Sequence, residues 1–244
     1  GSTEGRARGW VRNALVVSEI AFTCVLLVGA GLLIRSLVQV LEVDLGFQPA
    51  RAATMRVDPD ASYATQEQRA AYLAEALRLA RTIPGVEGAG ITDTLPLGRN
   101  RTWGVRAKGV TYERGQRPSA YIRVVSDGYP AAMGIPLVAG RDISERDTAA
   151  SDPVAVVNET MARALWPGDN AVGKVLIDVC GADRQVVGIV GDVRHLALDQ
   201  ASGSELYIPM RQCNDLPSAE LVLRSALPPE QLAVVQAVLT ELTK

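Results

Sequence analysis

Apolar residues run almost unbroken from Ala14 to Ile34 (ALVVSEIAFTCVLLVGAGLLI), with Glu19 as the only charged side chain in the segment. At about 1.5 Å of rise per residue, a helix of this length covers a hydrocarbon core of ~30 Å. A helix packed on a soluble core shows a polar face every turn, whereas here only Ser18, Glu19 and Thr23 interrupt the run. The segment therefore reads as a transmembrane helix. Arg6, Arg8 and Arg12 precede it, and Arg35, Glu42 and Asp44 come after it. The excess of arginine before the span places the N-terminus in the cytoplasm and the bulk of the chain outside. A cleaved signal peptide ending near Gly29-Ala30-Gly31 is the competing reading, but the apolar run continues through Leu32, Leu33 and Ile34. Glu19 reads either as a functional intramembrane acid or as a snorkelling or helix-packing side chain. Beyond Arg35, Leu37, Leu41 and Leu45 recur every fourth residue, with Gln39, Glu42 and Asp44 on other faces. This predicts a helix continuing as a stalk to Leu45, ~48 Å in all counted from Ala14, and stopping at Gly46 before Pro49.

The rest of the chain changes period. Arg51 to Val57 alternates like a strand, and Thr65-Gln66-Glu67-Gln68 fits a capping box opening a helix with Ala70, Leu73, Leu77 and Ala80 on one face. Pro84-Gly85 ends that helix, and Val86 to Leu95 reads as a second strand, completing a βαβ unit. Near the C-terminus, Glu220–Arg224 reads as a strand and Pro228-Pro229 opens a helix striped by Leu232, Val235, Leu239 and Leu242. Between these lie strands near Val105, Ala120–Val125, Val154–Val157, Val175–Val179, Gln185–Val193 and Leu206–Ile208, with a helix over Glu159–Trp166 capped by Asn158. The expected class is α+β, a βαβ–βα framework with an inserted β-rich subdomain. The expected division is a cytoplasmic tail over 1–13, a transmembrane helix over 14–34, a stalk over 35–47 and an extracytoplasmic core over 48–244. Within that core, 48–96 and 214–244 form the framework and 97–213 the insert.

Composition narrows the chemistry. A formal net charge of −2 and the lack of a basic tract give no case for nucleic acid as a partner. One histidine, His195, restricts any triad or imidazole metal site to that residue. Asp192 precedes it closely enough for a pair, but no nucleophile lies beside it in sequence, and a surface or strand-end histidine is the simpler reading. Dispersed carboxylates such as Asp142 and Asp192 are the remaining candidates for enzyme chemistry. Gly168-Asp-Asn-Ala-Val-Gly173-Lys174-Val175 mimics a P-loop, yet Val175 stands where the magnesium-binding hydroxyl belongs, and the flanking order is helix then strand instead of strand then helix. Gly188-Ile-Val-Gly191-Asp192 lacks the third glycine of a dinucleotide fingerprint. The first reads as a turn leading into a strand and the glycines of the second as close packing or a bulge, so no cofactor is expected at either. Cys24 belongs to the apolar run. Cys180 and Cys213 lie in the globular part, where an oxidising exterior permits a disulfide between them; two separate thiols is the alternative. Arg99, Arg101 and Trp103 share a loop, with Arg106 and Lys108 just beyond. A basic, aromatic loop suits contact with a ligand, partner or lipid headgroup; the plainer reading is a solvated loop with Trp103 packed onto the domain.

Several stretches taken together resemble the MacB/FtsX-like permease family of ABC transporters, in its MacB-type periplasmic core domain. They are Asn13–Ala21, Leu27–Ser36, Gly46-Phe47, Tyr129–Asp142 (YPAAMGIPLVAGRD), Val154–Arg163, Trp166-Pro167-Gly168, Gly173-Lys174, Val187–Arg194 and Tyr207–Pro209. Each is weak alone, and their order and spacing make the resemblance. It implies a permease of the bacterial inner membrane that binds no nucleotide itself. It also implies an ABC ATPase subunit as partner and pairing with a second permease half or another copy. The periplasmic domain and stalk would relay ATP-driven motion to the export or release of a substrate. A complete half of such a permease carries three more membrane helices after the core domain, so the resemblance implies a fragment, a truncated product or a degenerate paralogue. The alternative outside transport is a single-pass sensor or binding module.

Overall fold

The computed structural model describes residues 3–41, 43–59, 62–113, 115–198 and 200–226. Two compact units divide at Asp44/Leu45. The first is one helix, α1 (Thr3–Leu41). From Arg12 to Leu41 it is apolar and wholly unburied within the chain, a length of ~45 Å. The helical stretch thus begins within the expected cytoplasmic tail and stops short of Leu45, the expected end of the stalk. Bonds made by residues 45–48 explain the earlier stop. Leu45 O accepts from Arg194 N at 3.0 Å, and Gln48 N donates to Met133 O at 2.9 Å. Gly46 (φ +75°) sits so close to the Asp192 carbonyl that a Cβ there would come within 1.8 Å of its oxygen. These tertiary contacts outcompete a helical turn whose β-branched Val43 and acidic Asp44 offer little helix propensity.

The second unit is built on one mixed sheet of ten strands: β1 (Ala52–Arg56), β2 (Val86–Thr92), β3 (Thr102–Gly104), β4 (Ser119–Val125), β5 (Leu137–Gly140), β6 (Val154–Asn158), β7 (Val175–Val179), β8 (Ala182–Val190), β9 (Glu205–Pro209) and β10 (Glu220–Ser225). Their order is β1-β10-β2-β4-β9-β6-β8-β5, with β3 on β4 and β7 on β8. The βαβ unit is therefore split. β10 lies between β1 and β2, antiparallel to both. Helix α2 (Gln66–Thr82) connects them, opened by the capping box in which Gln68 N donates to Thr65 Oγ1 and Thr65 N to Gln68 Oε1. Of its buried residues Leu73, Ala76, Leu77 and Ala80, the first, third and fourth pack on Ala89, Ile91, Leu221 and Leu223. The two halves of the sheet meet at a single residue pair, Thr92 opposite Val125.

Because β4, β6 and β9 are covered on both faces, they read as largely apolar runs, interrupted by Arg123 in β4 and Glu205 at the start of β9, and not as alternations. On one face Ile122, Val124, Ala155, Val157, Leu206 and Ile208 pack against α4 (Glu159–Leu165), which Asn158 caps by accepting from Met161 N. On the other, Val125, Val156, Val190, Tyr207 and Val222 meet α3 (Tyr129–Met133). The strand expected near Val105 is β3, which ends one residue before it, and the Val105 N–H is bonded to Pro118 O. The helix expected from Pro228 lies outside the described residues.

Two glycines let β5 and β8 approach. Gly140 pairs with Gly188; a Cβ on Gly188 would lie 2.0 Å from Arg141 O, and one on Gly140 2.3 Å from Val187 O. Neither obstacle is a movable side chain. Gly188→Ala is therefore expected to cost roughly 2–3 kcal/mol in urea unfolding, whereas Gly104→Ala, with open space around its Cβ, should stay within about 0.5 kcal/mol of the parent.

Candidate functional site

One cluster of buried charged residues lies on a face of β4 and β9. Parallel pairing sets Tyr121 opposite Glu205 and Arg123 opposite Tyr207, so alternation puts all four side chains on the same face. Arg123 and Glu205 are fully buried and His195 is 4% exposed. Arg123 donates to Asn100 Oδ1 at 2.6 Å, to His195 Nδ1 at 2.9 Å and to Ile122 O at 3.1 Å. Its Nε lies 3.2 Å from Glu205 Oε1. A guanidinium only donates, so Nδ1 of His195 is the acceptor and the ring proton sits on Nε2, which faces Glu205 Oε1. Tyr207 donates its hydroxyl to Glu205 Oε2 at 2.8 Å. Burial, joined by the charge of Glu205, pushes the phenols of Tyr129 and Tyr207 above the ordinary tyrosine range. These groups form an acid–base set with no open face to a substrate. Its effect is to tie β4, β9, the loop at Asn100 and the segment after β8 into one arrangement.

His195 is thus buried and paired with Arg123 and Glu205, which corrects the expectation of a surface histidine and leaves no pair with Asp192. Asp192 serves α4 instead. It accepts from Thr160 N at 2.8 Å, Thr160 Oγ1 at 2.7 Å and Arg163 at 3.0 Å.

The segment expected as a basic, aromatic loop is committed to the domain, and Trp103 lies in strand β3 and not in a loop. Arg101 donates to Asp93 at 2.5 Å and Asp215 at 2.6 Å, and its guanidinium carbon lies 5.9 Å from the centre of the Trp103 ring. Trp103 is half-buried against the main core, while Arg99 is exposed. Burial pushes the Asp93 carboxyl up from the ordinary range, against the pull of Arg101 and the Val124 N–H.

Cys180 and Cys213 are bonded, with S–S 2.03 Å and Cα–Cα 5.8 Å. Cys180 (φ +50°) and Gly181 (φ +74°) form the tight turn between β7 and β8, a backbone that suits the twist of a hairpin. Buried Arg184 bridges the same two segments, donating to Val179 O at 2.9 Å, Gln212 Oε1 at 3.0 Å and Gln212 O at 2.8 Å. These partners are carbonyls, and burial lowers its pKa to about 10; it stays charged at neutral pH.

The P-loop mimic is a surface turn. Gly168 and Gly173 have positive φ, Lys174 pairs with Asp169 at 2.6 Å, and β7 begins at once. No phosphate-cradling helix start is present there. A groove of about 500 Å³ runs between the start of α2 and residues 213–219, past Asp58, Arg69, Met210 and Leu216. Its charged groups are already engaged: Asp58 accepts from Ala219 N and from Arg56, and Arg69 donates to Tyr63 O.

Asp142 gives a pH handle. Burial first, then the nearby charge of Asp127, lifts its carboxyl to about 6 from an ordinary 3.8, although the Ile143 N–H bond pulls the other way. The folded state therefore holds this proton more tightly than the unfolded chain. Its contribution to stability is full below pH 3.8 and is lost as the pH rises toward 6. Asp142→Asn keeps an acceptor for Ile143 N. It should raise stability by about 1–3 kcal/mol at roughly pH 7.5 and leave it unchanged near about pH 4, measured by urea unfolding at the two pH values.

The family model for the MacB-like periplasmic core domain matches residues 14–242. A curated relative, the macrolide export ATP-binding/permease protein MacB of Marinobacter nauticus, is 32% identical over 91 residues, which are 37% of this chain and 14% of that protein's length. Among solved structures, the periplasmic region of MacB from Actinobacillus actinomycetemcomitans superposes with a TM-score of 0.50 at 18% identity, covering 84% of this chain and 87% of that one. The extracellular domain of the transporter YknZ from Gram-positive bacteria reaches 0.47 at 13% identity, covering 75% and 88%.

Proposed function

The chain belongs to the MacB-like periplasmic core domain family, and from that premise we propose that it supplies the first membrane helix and the extracytoplasmic domain of an ABC transporter permease. The supporting observation is one uninterrupted helix, apolar and unburied from Arg12 to Leu41, leading directly into a mixed α+β domain of that family. In this reading α1 crosses the bacterial inner membrane with its arginine-rich start in the cytoplasm, and residues from Leu45 onward lie outside. The domain is non-catalytic. ATP is bound and hydrolysed by a separate nucleotide-binding unit, an ABC ATPase partner, and the resulting motion passes through α1 to the domain, where it drives export or release of a substrate. Pairing with a second permease half or another copy completes the machine.

The relay is tested in spheroplasts carrying the chain with its ABC ATPase. Trypsin added outside should cut the loops of the domain at different rates when the ATPase is trapped with ATP and vanadate than when it is nucleotide-free. Identical digestion in the two states, with the ATPase shown to be trapped, contradicts the relay and favours a static binding module.

A further inference from the structure

Glu19 is the one charged residue between Arg12 and Arg35, and it sits on the exposed surface of α1. Acids within membrane-spanning segments are rare and almost always face a partner or a watery cavity. The helix itself supplies no partner. One turn away lie Leu15, Val16, Phe22 and Thr23. The nearby hydroxyls are used on the backbone: Ser18 donates to Leu15 O and Thr23 to Glu19 O, both at 2.8 Å. Arg12 is seven residues back, ~10 Å along the axis, and helical side chains lean toward the N-terminus, so its guanidinium extends away from Glu19. No hydrogen bond or ion pair to the Glu19 carboxylate is found among the described residues.

A second copy of the helix does not supply the missing group. Two parallel copies about a two-fold axis set Glu19 against Glu19 and Arg12 against Arg12, like charge to like at each depth. We propose that Glu19 is the docking point for a different transmembrane helix presenting a lysine or arginine at the same depth. That depth is about 7–8 Å in from Ala14 on the cytoplasmic side. Such an ion pair fixes the rotation and vertical register of the two helices, in the way a buried polar residue specifies register elsewhere. This inference rests on the membrane-spanning reading of α1.

The test uses the full chain, labelled with a donor fluorophore at Cys24, the one cysteine outside the disulfide, and reconstituted in phosphatidylcholine vesicles. The probes are acceptor-labelled polyleucine transmembrane peptides, one with a single lysine at the depth of Glu19 and one without. Energy transfer should show at least tenfold tighter association with the lysine peptide, and Glu19→Gln should abolish that preference while the chain remains inserted. Equal association of both peptides, or a preference that survives Glu19→Gln, overturns the proposal. So does self-association of the chain that depends on Glu19, which makes a second copy the occupant. Ready alkylation of unlabelled Cys24 by a membrane-impermeant reagent marks a different failure, that of the membrane-spanning reading itself.

Discussion

Glu205→Ala is expected to destabilise the domain by about 3–5 kcal/mol, the range for breaking a buried ion pair from one side. Glu205 is fully buried, and it is the carboxylate that faces Arg123 Nε, His195 Nε2 and the Tyr207 hydroxyl. Without it, the Arg123 guanidinium remains in the core with only the neutral acceptors Asn100, His195 and Ile122. The loss measures an uncompensated charge and not the net worth of the pair, because desolvation offsets much of the attraction. The double variant Arg123→Met with Glu205→Leu removes both charges at similar volume. It should therefore be less destabilised than Glu205→Ala alone, by urea unfolding of the full chain in mild detergent. If the double variant is the less stable of the two, the network contributes net stability beyond the cost of burying its charges, and the assignment of the loss to a stranded cation is wrong.

Removing the disulfide, as Cys180→Ser with Cys213→Ser, should lower stability by roughly 3–4 kcal/mol, from the entropy that closing a loop of this size takes from the unfolded chain. The two cysteines are 33 residues apart. Arg184 holds the same segments through Val179 and Gln212, so the folded state should keep its local structure when the bond is absent. The expected signature is a lower unfolding midpoint with unchanged near-ultraviolet circular dichroism. Loss of that spectrum before unfolding would show that the bond, and not Arg184, positions the β7–β8 turn.

Features set by local chemistry were legible in the sequence. The apolar run of α1, the Thr65–Gln68 capping box and the Asn158 cap each depend on neighbours within a few residues, and the structure contains all three. What escaped depends on distant partners. Nothing in Glu220–Ser225 says that this strand slides between β1 and β2. The helix end moved from Leu45 to Leu41 because residues 45–48 bond to Met133 and Arg194. Helix α3 is five residues long between two left-handed glycines, Gly128 and Gly134, too short for a periodic signal, although Pro130 at its start was a visible cue. The buried charges left a trace as well. Arg123 interrupts the apolar run Ile122–Val125, and Glu205 shares a strand face with Tyr207; a charge inside a strand covered on both faces calls for a partner. The sequence offered no way to say that the partner would include His195.

The topology of α1 decides most directly whether the chain is anchored with its domain outside the cell. Fusions to the full chain in a bacterial inner membrane, alkaline phosphatase after Lys244 in one and green fluorescent protein at the same point in the other, read the side on which the domain lies. An extracytoplasmic domain gives active phosphatase and a dark fluorescent fusion, with the chain extracted only by detergent, and this is the expected result. Inactive phosphatase with a bright fluorescent fusion would place the domain in the cytoplasm and contradict the membrane-spanning, extracytoplasmic reading.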